Sequence, residues 1–242
     1  VDVKTIGIMG FAGDYGGDYA KGVKAAAEAN GITVAWEYIV PSPEFDVAQA
    51  VGLMVTKPVD AYFPAVGPTH MAQVAGGAFQ QGLTPLSMMA APSFNDAFVR
   101  EGFALAPLFN SGSMYLMAFV APYEAETAGH ATMRATFTAM GIDSANTFLV
   151  AGWASQHHLK GVLEAANKGG DLSRAGIRRA AGSVYVDSDG MMPQRELGQN
   201  RADAESFIAV PDGTIGSGVK LLAGNYVGPS AGGYDWESGP CS

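Results

Sequence analysis

The chain has one cysteine in 242 residues, Cys241, next to its end. A disulfide framework within the chain is excluded, and a thiol at a terminus reads either as a harmless unpaired group or as half of a bridge whose partner lies elsewhere. Charge is also scarce, at 15% of residues, and its balance is acidic: 14 Lys and Arg against 23 Asp and Glu, a formal net charge of −9. No basic stripe exists to neutralise phosphates, so nucleic acid is excluded as a partner. No apolar run approaches a membrane span, and no secretory signal precedes Val1, so the expectation is a soluble chain, either mature or truncated.

Catalytic and metal-binding spacings are missing too. There is no G-x-S-x-G elbow, no H-E-x-x-H and no C-x-x-C, and the phosphate loop G-x-x-x-x-G-K-[ST] does not occur. His157 and His158 are adjacent, about 100° apart on a helix, and so cannot chelate as an i, i+4 pair. Asp14 and Asp18 stand one turn apart at a helix start, where capping and dipole effects account for them without catalysis. His70 follows the third strand and reads as a polar loop residue. No cofactor and no metal are expected.

What the chain does have is glycine, 32 residues of it, and its opening uses it tellingly. Thr5 to Met9 is an apolar strand that runs through Gly10, Gly13, Gly16 and Gly17 into a helix. Where a strand ends and the next helix begins, glycines let the backbone approach a ligand and unpaired N–H groups face it. Gly7, Gly10 and Gly13 fall three apart, which is not the dinucleotide fingerprint G-x-G-x-x-G, although Glu37 could imitate its ribose-binding acid. Tyr15 offers a flat apolar face and one hydroxyl, which suits a small organic ligand better than a pyrophosphate.

Strand and helix signals then alternate over short connections. Helices are expected over Tyr19–Asn30, ended by Gly31, and over Asp46–Thr56, stopped before Pro58. A third begins at Gly67-Pro68 with Thr69 as N-cap and ends at Gly82. Strands are expected over Thr33–Val40, Ala61–Val66, Pro85–Met89 and Met114–Val120. Alternation of this kind gives an α/β fold, a parallel sheet flanked by helices, whose post-strand loops share one rim. Those loops are Phe11 to Gly17, Pro41 to Phe45, Gly67 to His70 and Ala90 to Asn95.

Beyond Pro122 the character changes. His130–Met140, Ala151–Asn167 and Ser173–Ala181 look helical, with no strand to make a second sheet, and helices without a sheet must cover one from elsewhere. From Ser183 onward the chain is turn-rich. Three segments are therefore expected: 1–122, an α/β ligand-binding lobe; 123–183, helical; and 184–242, a crossover and tail.

This order of parts resembles the type I solute-binding fold of ABC-transporter receptors, in particular the branched-chain amino-acid-binding group. The matching segments are Gly13-Asp14-Tyr15-Gly16-x-x-Tyr19-Ala20-x-Gly22, Pro58-Val59-Asp60-Ala61-Tyr62, Gly82-Leu83, Phe148-x-x-Ala151-Gly152-Trp153 and Asp171-Leu172-Ser173-Arg174-Ala175-Gly176-Ile177. The resemblance runs along most of residues 4–186. It implies the second lobe of a two-lobe receptor, with the helices of 130–181 returning to a first lobe whose sheet has no counterpart here. The expectation is a carboxyl-terminal portion of a larger receptor, with a first lobe or a partner chain covering those helices.

The resemblance also implies a site. Gly13, Asp14 and Tyr15 occupy the first turn, Gly67, Pro68 and Thr69 the third-strand rim, and Met89, Ala90 and Ala91 the place where amino-acid-binding members carry an acid for the ligand ammonium. No acid stands at that place, and an ammonium in a closed cleft needs one. A less charged or more apolar solute is implied, delivered to an ABC permease outside the cytoplasm, in a periplasm or as a lipoprotein on the cell surface. Two alternatives stay open: a nucleotide-dependent oxidoreductase using the turn from Gly7 to Gly17, and the ligand-sensing domain of a regulator.

Overall fold

β-branched and aromatic runs separated by small-residue helices fold here as anticipated for the first half of the chain. The computed structural model describes residues 2–193, 195–196 and 205–229; Cys241 lies outside them. Strands β1 (Thr5–Phe11), β2 (Thr33–Val40), β3 (Ala61–Ala65), β4 (Leu86–Ala90) and β5 (Met114–Ala118) alternate with helices α1 (Asp14–Ala29), α2 (Val47–Thr56), α3 (Pro68–Gln80) and the short α4 (Ala106–Phe109). These five strands are parallel, in the spatial order β2-β1-β3-β4-β5.

Each face of the sheet buries its own set. Met54 of α2 and Met71 and Val74 of α3 pack with Met9, Trp36, Tyr62, Met89 and Leu116 on one face. Ala27 and Val23 of α1 meet Ile6 and Ala61 on the other. At the foot of the sheet the Asp60 carboxylate accepts from Lys4 N, Thr5 N and Thr5 Oγ1 at 2.8–2.9 Å, and these bonds hold its pKa below the usual value.

The structure departs from the sequence reading at several boundaries, among them the starts of α1, α3 and α6, the last beginning at Thr147 rather than Ala151. Helix α1 starts at Asp14, not Tyr19, with Gly13 as its N-cap. Gly16 is helical rather than part of a turn, and it is a glycine because it sits against the Phe11 backbone, where a Cβ would lie 2.2 Å from the carbonyl oxygen. Thr69 is not the cap of α3; Gly67 is, with Pro68 at the first helical position. Gly31 and Gly82, as expected, leave their helices with φ of 66° and 74°.

The larger departure is at the far edge of the sheet. Two antiparallel strands, β8 (Glu205–Pro211) and β9 (Val219–Val227), extend it beyond β5. Their connecting turn is clamped: Arg100 donates to the carbonyls of Ile215 and Gly216, and the Glu124 carboxylate accepts from Ser217 N and Oγ. The short strands β6 (Tyr185–Val186) and β7 (Arg195–Glu196) pair only with each other.

Between β5 and β6 come α5 (Ala128–Ala139), α6 (Thr147–Lys168) and α7 (Arg174–Ala181). Helices α5 and α6 share a core with Tyr123 and Met191, separate from that of the sheet, in which Phe137 meets Trp153 edge-on at 5.6 Å. Phe137 and Val162 are buried, whereas Met140, Leu159 and Leu163 are exposed, together with Phe148 and Leu149. On a helical projection Phe148, Leu159 and Leu163 fall within one narrow arc. Buried His130 fastens the start of α5: its Nε2–H donates to Ala121 O at 3.1 Å, and Nδ1 accepts from Thr127 Oγ1 at 2.8 Å.

Candidate functional site

The carboxyl ends of β1, β3 and β4 bring three loops to one rim. Tyr15, in the first turn of α1, points its hydroxyl at Ser93 Oγ, 3.2 Å away. Ser93 lies in a single 3-10 turn, Ala91–Ser93, that follows β4. Its Oγ is 2.8 Å from Val66 O and accepts from Val66 N at 3.2 Å. A hydroxyl has one proton, and the short contact to the carbonyl takes it, so Tyr15 is the donor to Ser93. One buried serine thus joins the first, third and fourth loops.

Tyr15 remains 37% exposed, with part of its ring open to solvent. Burial of the remainder raises its pKa, and the bond to Ser93 opposes that shift. One turn further along α1, Tyr19 donates to Met88 O at 2.7 Å. Burial pushes its pKa far above the usual value, with the nearby Tyr15 phenol adding to the effect. Both hydroxyls are protonated hydrogen-bonding groups at neutral pH.

Beside them is an aromatic group. Phe11 meets Phe45 and His70 edge-on at 5.6 and 5.2 Å, and Phe45 meets His70 at 5.4 Å and Tyr38 at 5.2 Å. His70, read from sequence as a polar loop residue, is the imidazole of this cluster on the first turn of α3. Ser93 was missed altogether; its signal was a small hydroxyl residue between Pro92 and Phe94 just past a strand.

The other residues singled out by sequence divide clearly. Gly13 has φ of 100°, a conformation that favours glycine, and Asp14 is exposed beside it. Gly67 approaches Phe11 and His70, Pro68 starts α3, and Thr69 points outward. Neither Gly13 nor Gly67 supplies a side-chain acceptor, so no side chain caps the first-turn N–H groups of α1 and α3, which have no intrahelical partner. Met89, for which core packing is the other reading of the sequence because Met fills gaps, has no exposed surface and packs in the core with Met71 and Leu116. Ala90 and Ala91 are nearly buried as well and bring backbone rather than side chain to the rim.

The glycine spacing of β1 also has a packing origin. A Cβ at Gly7 would fall 2.0 Å from the Trp36 ring, and one at Gly10 would be 3.0 Å from Ala65 O. These glycines admit an indole and a neighbouring strand, a role that needs no phosphate. A separate apolar crevice, lined by Leu116, Ala118, Val120, Pro122, Thr147 and Phe207 among others, shares no residue with the rim.

A mainly parallel sheet flanked by helices, whose strand-end loops form an aromatic-sided rim, matches the type I periplasmic binding protein fold. The chain belongs to the periplasmic binding protein family, whose profile matches residues 1–213. Among solved structures it is similar to a fatty acid ABC transporter substrate-binding protein from Thermomonospora curvata, at 23% identity and a TM-score of 0.84, over 96% of this chain and 59% of that one. It is also similar to an ABC transporter substrate-binding protein of Aeropyrum pernix, at 15% identity and a TM-score of 0.70, over 94% of this chain and 62% of that one. A branched-chain amino acid ABC transporter protein from Thermus thermophilus with bound valine matches at 11% identity and a TM-score of 0.69, with coverage of 94% and 62%. The chain spans about three fifths of the length of these proteins. No curated protein matches it in sequence.

Proposed function

We propose that this chain is the ligand-binding lobe of an ABC-transporter solute receptor, acting outside the cytoplasm by binding rather than by catalysis and handing its solute to a membrane permease. The observation that carries the reading is the rim tied together by Ser93, on which Tyr15 presents a half-exposed ring. Gly13, Asp14, Gly67, Pro68 and Thr69 complete the half-site, and Ala90 and Ala91 contribute backbone. Family membership supports the role, and the relatives named as periplasmic or extracellular receptors support the location.

The solute is a small, mainly apolar molecule, either neutral or bearing one carboxylate. Carboxylate suits the uncapped N–H groups of α1 and α3. A zwitterionic amino acid is less suited, since no acid stands at Met89, Ala90 or Ala91 to meet its ammonium. The fatty-acid receptor among the similar folds is in keeping with this choice. A first lobe closes the cleft from above and covers the exposed stripe of α6, as supported by the larger size of the relatives and by the exposure of Phe148, Leu159 and Leu163.

Calorimetric titration of the receptor containing both lobes with octanoate and with valine tests this. Octanoate is expected to bind and valine to bind weakly or not at all. Preferential valine binding would overturn the solute class, and turnover of a nucleotide cofactor would overturn the receptor reading. Tyr15→Ala is expected to weaken octanoate binding by about 1–3 kcal/mol; an unchanged affinity would remove Tyr15 from the site.

A further inference from the structure

The chain is acidic overall, yet five of its 14 Lys and Arg fall within one stretch of 26 residues. Residues 160–185 contain Lys160, Lys168, Arg174, Arg178 and Arg179 against two acids, Glu164 and Asp171. Three of the five stand on α7, a helix of eight residues. They are too few to read as a stripe along the sequence, and only the helix gathers them. Gly176, Ile177, Ala180 and Ala181 form its inner side, fully or partly buried, while Arg174, Arg178 and Arg179 are exposed on the opposite arc.

Ordinary helix electrostatics explains only part of this. Arg178 and Arg179 lie in the last turn, where cations complement the dipole, and Arg179 is also 3.6 Å from the Asp171 carboxylate. Arg174 is at the first helical position, where the dipole disfavours a cation, and no acid pairs with Arg174 or Arg178 among the described residues. Two exposed apolar groups flank the helix: Leu172, 57% exposed, just before it, and Tyr185, 59% exposed, just after it. Arginines that match phosphate geometry, set between an aliphatic and an aromatic side chain, are the chemistry of a membrane interface.

We propose that the α7 face, made of Arg174, Arg178 and Arg179, with exposed Lys168, Leu172 and Tyr185 in the segments that flank the helix, docks on anionic lipid headgroups. The acidic remainder of the chain is repelled by the same surface, so the contact is also orienting: α7 faces the bilayer. Four basic groups give a weak, salt-sensitive and reversible association that needs no inserted helix, and no helix among the described residues is long and apolar enough to cross a membrane.

The test is flotation of the receptor containing both lobes with phosphatidylglycerol/phosphatidylcholine vesicles and with pure phosphatidylcholine vesicles, at low and high salt. Binding is expected only to the anionic vesicles and only at low salt. Each arginine is expected to contribute about fivefold to the partition coefficient, so the double variant Arg174→Glu/Arg178→Glu should lose at least about twentyfold. Lys57→Glu/Lys220→Glu, which changes net charge equally at exposed sites elsewhere, should retain most of the binding. Circular dichroism melts confirm that both variants fold. Equal binding to neutral vesicles, insensitivity to salt, or equal losses in the two double variants would overturn the proposal. So would absence of vesicle binding accompanied by salt-sensitive self-association that Arg174→Glu/Arg178→Glu abolishes, which would assign the face to an acidic protein surface.

Discussion

Tyr15 and Ser93, separated by 78 positions in the chain, are joined by a 3.2 Å hydrogen bond in which the phenol donates to a serine already committed to Val66. The two partners are not equivalent. Ser93→Ala strips the Val66 N–H and C=O of their side-chain partner in a buried setting and is expected to cost about 1–3 kcal/mol, whereas Tyr15→Phe removes one half-exposed bond and should cost about 0.5–1.5 kcal/mol. Urea midpoints for the two variants check the order; a larger loss for Tyr15→Phe would contradict the place of Ser93 as the tie between the loops.

Adjacent glycines at the start of α1 should respond in opposite directions. Gly16→Ala drives a Cβ into the Phe11 backbone, at 2.2 Å from the oxygen and 2.7 Å from the nitrogen, and should destabilise by about 1–3 kcal/mol. Gly17→Ala meets nothing within 4 Å and sits inside the helix, so it should stabilise by about 0.5–1 kcal/mol. Thermal melts of the pair decide the matter, and equal effects would contradict the close approach at Gly16.

Buried His130 makes stability depend on pH. Burial lowers its pKa, and Arg134 nearby acts the same way, while the Ala121 carbonyl and the Glu124 and Glu126 carboxylates oppose the shift. The unfolded chain therefore takes up the proton more readily than the folded one. The contribution of His130 is fully present well above its unfolded pKa of about 6.5 and declines as pH falls below that value toward the folded pKa. In His130→Gln the slope of stability against pH just below 6.5 should flatten; an unchanged slope in a denaturant series would show that another group is responsible.

Exposed apolar side chains on α6 should make the isolated chain associate. Leaving such surface in water is unfavourable by about 25 cal/mol per Å². Leu159→Ser/Leu163→Ser is expected to reduce concentration-dependent association in sedimentation velocity while leaving the melting temperature nearly unchanged, since both side chains lie outside the core. A large drop in melting temperature would mean that these leucines pack within the chain.

Legibility in the sequence followed locality. Strand Thr33–Val40 is legible to the residue, because β-branched and aromatic side chains dominate between Gly31 and Pro41, with only Ala35 and Glu37 among them. Strands β8 and β9 were not read, although Phe207-Ile208-Ala209-Val210 has strand composition, because Pro211-Asp212-Gly213 and Gly216-Ser217-Gly218 gave the whole region a turn-like texture. In the candidate site, Tyr15 and the glycines of the first and third loops could be placed from the strand-to-helix order. Ser93 and the Phe11, Phe45 and His70 cluster could not, since each becomes a site component only when loops distant in sequence share a rim. For Met89 the position along β4 is legible, but the choice between rim and core depends on the face its side chain joins, which is set where β4 pairs with Leu116 of β5.

The antiparallel edge has a consequence for how the chain is made. Leu116 of β5 pairs with Ala209 of β8, about ninety residues later, so the far edge of the sheet closes only after α5, α6 and α7 have been synthesised. Until then β5 presents unsatisfied backbone groups along one side, open to the wrong strand. Closing so long a loop adds a modest entropic penalty but slows folding. During synthesis, the parallel half of the sheet can assemble early and then wait, its last strand unprotected, for residues 205–227 to leave the ribosome.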